Sequence, residues 1–370
     1  MRKAAAMFMA AMMAVSLSGC TGGGKTADST TAAVTEAKET TVEATTAADT
    51  AADSEETQKA AQAENEAEKS GESYHIAYLC PSMDTPFWRY MATGVEREAE
   101  KLGNVTVTTY DSKNSADIQY TNAQDVIVKG VDGIVISPTD SASCVAVLGL
   151  AEEAGIPVAI SDIGTDSGEY VTFIKTNNLK GAEEGGKYLA SLLKEGDKVA
   201  EIVGPQARQN QQDRKAGFEK GVGTANVEIV DFRQMERENR SEGESYAQDY
   251  LTAYPDLKAI FCTSDDASLG VLAACQGAGR NEVMIFGFDS NEELLAAVRE
   301  GTIVGTSTQQ PLLMGARALD GVIDHLDGKE VEQLQEIETL LVTKDNIDDV
   351  YDILSETAMV DEERRRKNHD

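Results

Sequence analysis

Carboxylates, amides, hydroxyls, one guanidinium and one pair of adjacent rings recur in this 370-residue chain where apolar runs end. The first such stretch is Pro81-Ser82-Met83-Asp84-Thr85-Pro86-Phe87-Trp88. Asp111-Ser112-Lys113-Asn114, Ser137-Pro138-Thr139-Asp140 and Ser161-Asp162 follow. Later come Arg214, Thr263-Ser264-Asp265, Gly287-Phe288-Asp289 and Thr308-Gln309-Gln310-Pro311. Charged groups hold hydroxyls through strong hydrogen bonds, and rings cover an apolar C–H face. This is the chemistry of carbohydrate recognition.

Each of these residues also has an ordinary structural use. An Asp directly after a strand is a natural helix N-cap, which applies to Asp162 and Asp289. Ser137, Thr139 and Asp140 read as caps, as do Asp265 and Asp266. Phe87 and Trp88 open a helix, and neighbours on a helix cannot both face one core stripe, so at least one ring faces elsewhere. Gly181-Ala182-Glu183-Glu184-Gly185-Gly186-Lys187-Tyr188 nearly matches a phosphate-binding loop. Tyr188 stands where a magnesium-holding Ser or Thr belongs, and two glutamates would repel phosphate. No nucleophile elbow, zinc-protease motif or His/Cys cluster occurs, so neither an enzyme nor a cofactor or metal is expected.

The elements that must position these groups alternate. Strands are expected at His75–Cys80, Val105–Tyr110, Gly133–Ile136, Pro157–Ile160 and Tyr170–Ile174, with helices Phe87–Leu102, Asp117–Lys129 and Cys144–Ala154 between them. Gly103, Gly130 and Gly155 close those helices. The rhythm repeats from Lys180, with strands at Lys198–Val203, Val227–Asp231, Ala259–Cys262, Val283–Phe286 and Val304–Ser307. The expected fold is α/β: two doubly wound, parallel-sheet lobes. In such sheets a ligand sits beyond the carboxyl ends of the strands, where the polar stretches fall.

In order and spacing, those stretches make the chain resemble the ribose-binding-protein group of periplasmic sugar-binding proteins. The segments that carry the resemblance are Asp84-Thr85-Pro86-Phe87-Trp88, Asp111-Ser112-Lys113-Asn114, Ser137-Pro138-Thr139-Asp140, Arg214-Lys215-Ala216-Gly217-Phe218, Gly287-Phe288-Asp289 and Gln309-Gln310-Pro311. It implies a type I periplasmic-binding-protein fold with a three-segment hinge near Thr176-Asn177-Asn178, Gln309-Gln310 and Glu336–Thr339. Residues 73–176 and 310–338 would form one lobe, 177–309 and 339–354 the other, and 355–370 a charged tail. The resemblance also implies ligand contacts from Thr85, Phe87, Trp88, Asp162, Arg214, Ser264, Asp289 and Gln309. Phe87 and Trp88 would stack on the sugar ring, Asp162 and Asp289 would accept from hydroxyls, Arg214 would donate, and Gln309 would add an amide contact near the hinge. The family's ribose binders carry Asn where this chain has Thr85, Ser137 and Ser264, and Arg where it has Ile163. That leaves a pentose, hexose, deoxy sugar or polyol as the guest. The implied partner is an ABC importer permease. A receptor that presents its ligand to a membrane kinase or chemoreceptor is the alternative.

The N-terminus has the layout of an export signal: Met1-Arg2-Lys3, an apolar run from Ala4 to Leu17, then Leu17-Ser18-Gly19-Cys20. The last four resemble a lipobox, with Cys20 as the lipidated residue, which implies attachment to the outer face of the cytoplasmic membrane or a periplasmic location. Residues 21–72 contain no aromatic residue and no Ile, Leu or Met. Such a segment cannot offset its ordering entropy by burial and reads as an acidic tether, transiently helical near Thr57–Lys69. The net charge of −31 argues against nucleic acid as a partner and for a self-repelling monomer. Cys80, Cys144, Cys262 and Cys275 read as buried free thiols.

Overall fold

The computed structural model describes residues 73–359. The leader, Cys20, the tether and residues 360–370 lie outside the described residues. The chain opens with β1 (Tyr74–Cys80), α1 (Pro86–Leu102), β2 (Val105–Asp111), α2 (Ala116–Lys129), β3 (Gly133–Ile136), α3 (Ser141–Ala154), β4 (Val158–Ser161) and β5 (Thr172–Thr176). A second series follows: α4 (Asn178–Leu192), β6 (Lys198–Val203), α5 (Gln209–Val222), β7 (Glu228–Gln234), α6 (Arg240–Ala253), β8 (Leu257–Cys262), α7 (Asp265–Gly277), β9 (Met284–Phe288), α8 (Glu292–Glu300) and β10 (Gly305–Thr308). The last elements are α9 (Pro311–Leu326), β11 (Leu334–Ile337), β12 (Leu340–Thr343) and α10 (Ile347–Thr357).

These strands form two six-stranded sheets, ordered β11-β5-β4-β3-β1-β2 and β12-β10-β9-β8-β6-β7. The two orders correspond strand for strand. All neighbours in the first sheet are parallel; in the second only β12, which runs antiparallel to β10, departs from this. The chain passes between sheets after β5, after β10 and between β11 and β12. Strand β1 shows why the sequence runs apolar. Ile76 and Tyr78 bury on one face and Ala77 and Leu79 on the other, each in a separate core cluster. Edge strands β2 and β7 are mostly half-buried or exposed instead.

Gly103, Gly130 and Gly155 end α1, α2 and α3 in the left-handed region, with φ of 79°, 74° and 69°. Residues with a side chain adopt that conformation at a cost, which is why the helices stop there. The phosphate-loop look-alike lies inside α4, and its glycines serve packing. A Cβ on Gly186 would sit 2.7 Å from the Phe218 carbonyl oxygen of α5. On Gly217 and Gly221 of α5 it would sit 2.2 Å from the carbonyl oxygens of Leu179 and Glu183. The two helices therefore meet backbone to backbone.

Two expectations need correction. Strand β5 begins at Thr172, where its pairing with Ala159 of β4 starts, and Tyr170 falls outside that register. The charged tail does not begin at residue 355: α10 continues to Thr357, and Leu354, Ala358 and Met359 are buried in the second sheet's core. The four cysteines of the described region are buried and free, as expected.

Candidate functional site

The carboxyl ends of both sheets border one cavity of about 950 Å³, at the upper end of what small-molecule sites occupy. Thr85, Phe87, Trp88 and Asp162 line it from the first lobe. Arg214, Ser264 and Asp289 line it from the second, and Gln309 from the crossing after β10. Pro86 at the first position of α1 sets the helix start, so Phe87 and Trp88 leave the turn after β1 as a unit. Their rings meet edge to face, with centroids 4.8 Å apart and planes at 82°.

The two aspartates are held by the same device in both lobes. Asp162 follows β4 with φ 65°, and Asp289 follows β9 with φ 74°. Short polar side chains tolerate this left-handed backbone, which turns the carboxylate off the sheet. The Asp162 N–H donates to the Ile174 carbonyl (2.9 Å) and the Asp289 N–H to that of Ser307 (3.0 Å), so the neighbouring strand locks each turn. Neither aspartate is a helix cap; Asn291 caps α8.

Arg214 is fixed on several sides. Its Nε donates to Asn178 Oδ1 (2.8 Å) and its Nη1 to the Thr263 carbonyl (2.8 Å). The guanidinium lies 4.1 Å from the centroid of the Phe288 ring and 3.8 Å from Asp289 Oδ2. The Gln309 amide donates to Asp289 Oδ1. Three buried oxygens of the cleft have no hydrogen-bond partner: Asp162 Oδ1, Asn210 Oδ1 and Gln309 Oε1.

Burial dominates the electrostatics. It pushes the Asp162 carboxyl up to about 7, against the pull of Arg214 and with the push of Asp289. Asp289 is raised by burial, partly offset by Arg214 and by the Gln309 amide. Burial and the nearby Asp289 raise Asp265 well above the carboxylate range. Three buried carboxyls thus surround one central guanidinium, and burial favours keeping protons on them. Among the described residues, no group of three or more His, Cys, Asp or Glu side chains is placed to hold a metal ion.

Some expectations change at this level. Ser264 lines the cleft, but its Oγ also caps α7 by accepting from the Ala267 N–H at 3.4 Å. Asp265, read as a cap, is instead 5 % exposed and faces the cleft. Ser137 is not a cap either: its hydroxyl is buried between Tyr78 Oη (3.0 Å) and Ser161 Oγ (2.8 Å). Asp140 does cap α3, accepting from the Ser143 N–H at 2.8 Å. Arg208 and Asn210 escaped notice in the sequence. Asn210 Nδ2 donates to Asp162 Oδ2 (3.0 Å), reaching across to the other lobe. Arg208 also spans the lobes, with Nε on the Thr139 carbonyl (3.0 Å) and Nη2 on Asn114 Oδ1 (2.9 Å), while Glu238 neutralises it. One signal was available: Asn210 precedes Arg214 by one helical turn and shares its face.

Residues 76–330 match the periplasmic binding protein domain family. The chain is 32% identical over 269 residues to the ribose import binding protein of Escherichia coli strain K12, covering 73% of this chain and 90% of that one. It is 30% identical over 262 residues to the ribose import binding protein of Bacillus subtilis strain 168, covering 71% and 85%. Among solved structures, an ABC transporter periplasmic solute binding protein from Actinobacillus succinogenes 130z with bound D-allose superposes with a TM-score of 0.71 at 23% identity. That match covers 75% of this chain and all of the other, and it bears on the fold alone.

Proposed function

This chain belongs to the periplasmic binding protein domain family, and on that premise we propose that it captures a small sugar or polyol outside the cytoplasm and delivers it to an ABC importer. The observation that carries the reading is the cleft itself, lined by an edge-to-face aromatic pair and by buried acceptor oxygens that lack partners. Phe87 and Trp88 cover the apolar face of the ring. Asp162, Asp289 and Gln309 take its hydroxyl hydrogens, and Arg214 holds its oxygens; Thr85 and Ser264 complete the lining. The guest is held without covalent change, as suits family members that are binding proteins rather than enzymes.

The lobes divide at residues 176–177, 309–310 and 338–339, and those segments act as the hinge. A ligand that touches both lobes only when they close favours the closed state by its differential affinity. Lipidation at Cys20 tethers a monomer to the membrane through residues 21–72. Nothing observed favours a receptor role over capture for import.

A thermal-shift screen over pentoses, hexoses, polyols and nucleosides tests the reading, with Trp88, the single tryptophan, as the fluorescence reporter. At least one sugar or polyol is expected to raise the melting temperature and change the emission. Stabilisation by nucleosides alone, or by none of these compounds, overturns it.

A further inference from the structure

We infer that Asn210 couples ligand choice to cleft closure: from the second lobe it reads one hydroxyl of a vicinal diol whose neighbouring hydroxyl Asp162 reads from the first. The inference rests on the sugar-capture reading. Asn210 is 6% exposed and Asp162 3%. The bond from Asn210 Nδ2 to Asp162 Oδ2 (3.0 Å) fixes how the amide is turned, so the atom left over is an oxygen. Carboxamide and carboxylate are planar forks joined at one tine. Their other tines, Asn210 Oδ1 and Asp162 Oδ1, are buried, line the same cavity and accept from nothing. Gln309 Oε1 is in the same condition, since its amide nitrogen is committed to Asp289.

With Asp162 ionised, above about pH 7, all three unpartnered atoms are acceptors. A matching guest must offer hydrogens at those points; an ether, a ketone or an O-methyl group would set oxygen against oxygen, and a deoxy position would leave a buried acceptor bare. A site with buried acceptors rejects an analogue lacking the matching O–H more strongly than an apolar pocket rejects a missing methylene. Because Asn210 reaches Asp162 from the opposite lobe, both its contacts exist only in the closed cleft. Asn210 would therefore report that the diol is present and hold the lobes together with one side chain.

The test uses the purified protein, D-ribose, D-allose and the monodeoxy derivatives of each, with dissociation constants from calorimetry. The unaltered protein is expected to prefer a parent sugar over at least one deoxy derivative by ~10-fold or more. Asn210→Ala should weaken the parent by a similar factor and leave that derivative within ~2-fold of its original constant, so that discrimination is erased. Asn210→Asp keeps an acceptor and loses the donor. It should retain discrimination, while the ligand-free radius of gyration by X-ray scattering rises. Uniform weakening of parents and derivatives by Asn210→Ala refutes the inference and leaves Asn210 as a closure contact. Unchanged constants refute both of its roles. Failure of every sugar and polyol to bind the unaltered protein removes the capture reading, and the inference falls with it.

Discussion

Replacing Asp162 with Asn should make the ligand-free protein more stable at pH 8 while weakening sugar binding. The carboxyl is 3% exposed, and one of its oxygens lacks a partner. Burial raises it from an ordinary value of 3.8 to about 7. In that interval the folded protein holds the proton and the unfolded chain does not, so stability falls as pH rises from 4 to 7. Below pH 4 both states are protonated and the penalty is absent; above 7 it is complete. The interval corresponds to about 4 kcal/mol at most. A cleft that opens rewets the carboxylate and takes back part of this, so a gain of about 1 to 4 kcal/mol is expected at pH 8, shrinking to nothing near pH 4. Asn tolerates the left-handed backbone of this position and still offers an oxygen to Asn210. Sugar affinity should drop ~10-fold or more, because a charged acceptor has become a neutral one. Urea unfolding of both proteins at pH 4, 6 and 8, with calorimetric titration of the sugar, measures both effects. A variant less stable than the parent at pH 8, or a gain that does not change with pH, would refute the reasoning.

Three further outcomes are expected. Arg214→Lys keeps the charge but loses the fork that holds Asn178 and Thr263 and the packing on Phe288, so calorimetry should show sugar affinity falling by ~10-fold or more. Arg208→Ala removes the bridge to Thr139 and Asn114 and strands Glu238; scattering should show a more open ligand-free protein, and apparent affinity should fall in proportion to the closed fraction lost. Gly217→Ala drives a methyl group into the Leu179 carbonyl and forces α4 and α5 apart, so the melting temperature should fall, by an amount equivalent to about 1–3 kcal/mol.

The alternation of apolar runs and helical segments determined most of the architecture by itself. Strands β1, β3, β4, β6, β8, β9 and β10 are read from burial on both faces, and that pattern is written in successive residues. The glycines that end α1, α2 and α3 and the polar stretches after the strands are equally local signals. Strands β11 and β12 are short and half exposed, and only their pairing with β5 and β10 makes them strands. Tertiary structure alone decided how two adjacent polar residues meet the cleft. Ser264 lines it while capping α7, and Asp265 beside it lines it as a buried carboxyl. It also decided that Arg208 and Asn210 cross to the other lobe, and that Asp162 is raised by its surroundings. Periodicity reports which face of an element is covered; it carries no information about what covers it. The bridging contacts and the state of the carboxylates depend on groups that are far apart in sequence, Asn210 and Asp162 among them. The chain must cross between the sheets before those groups can meet.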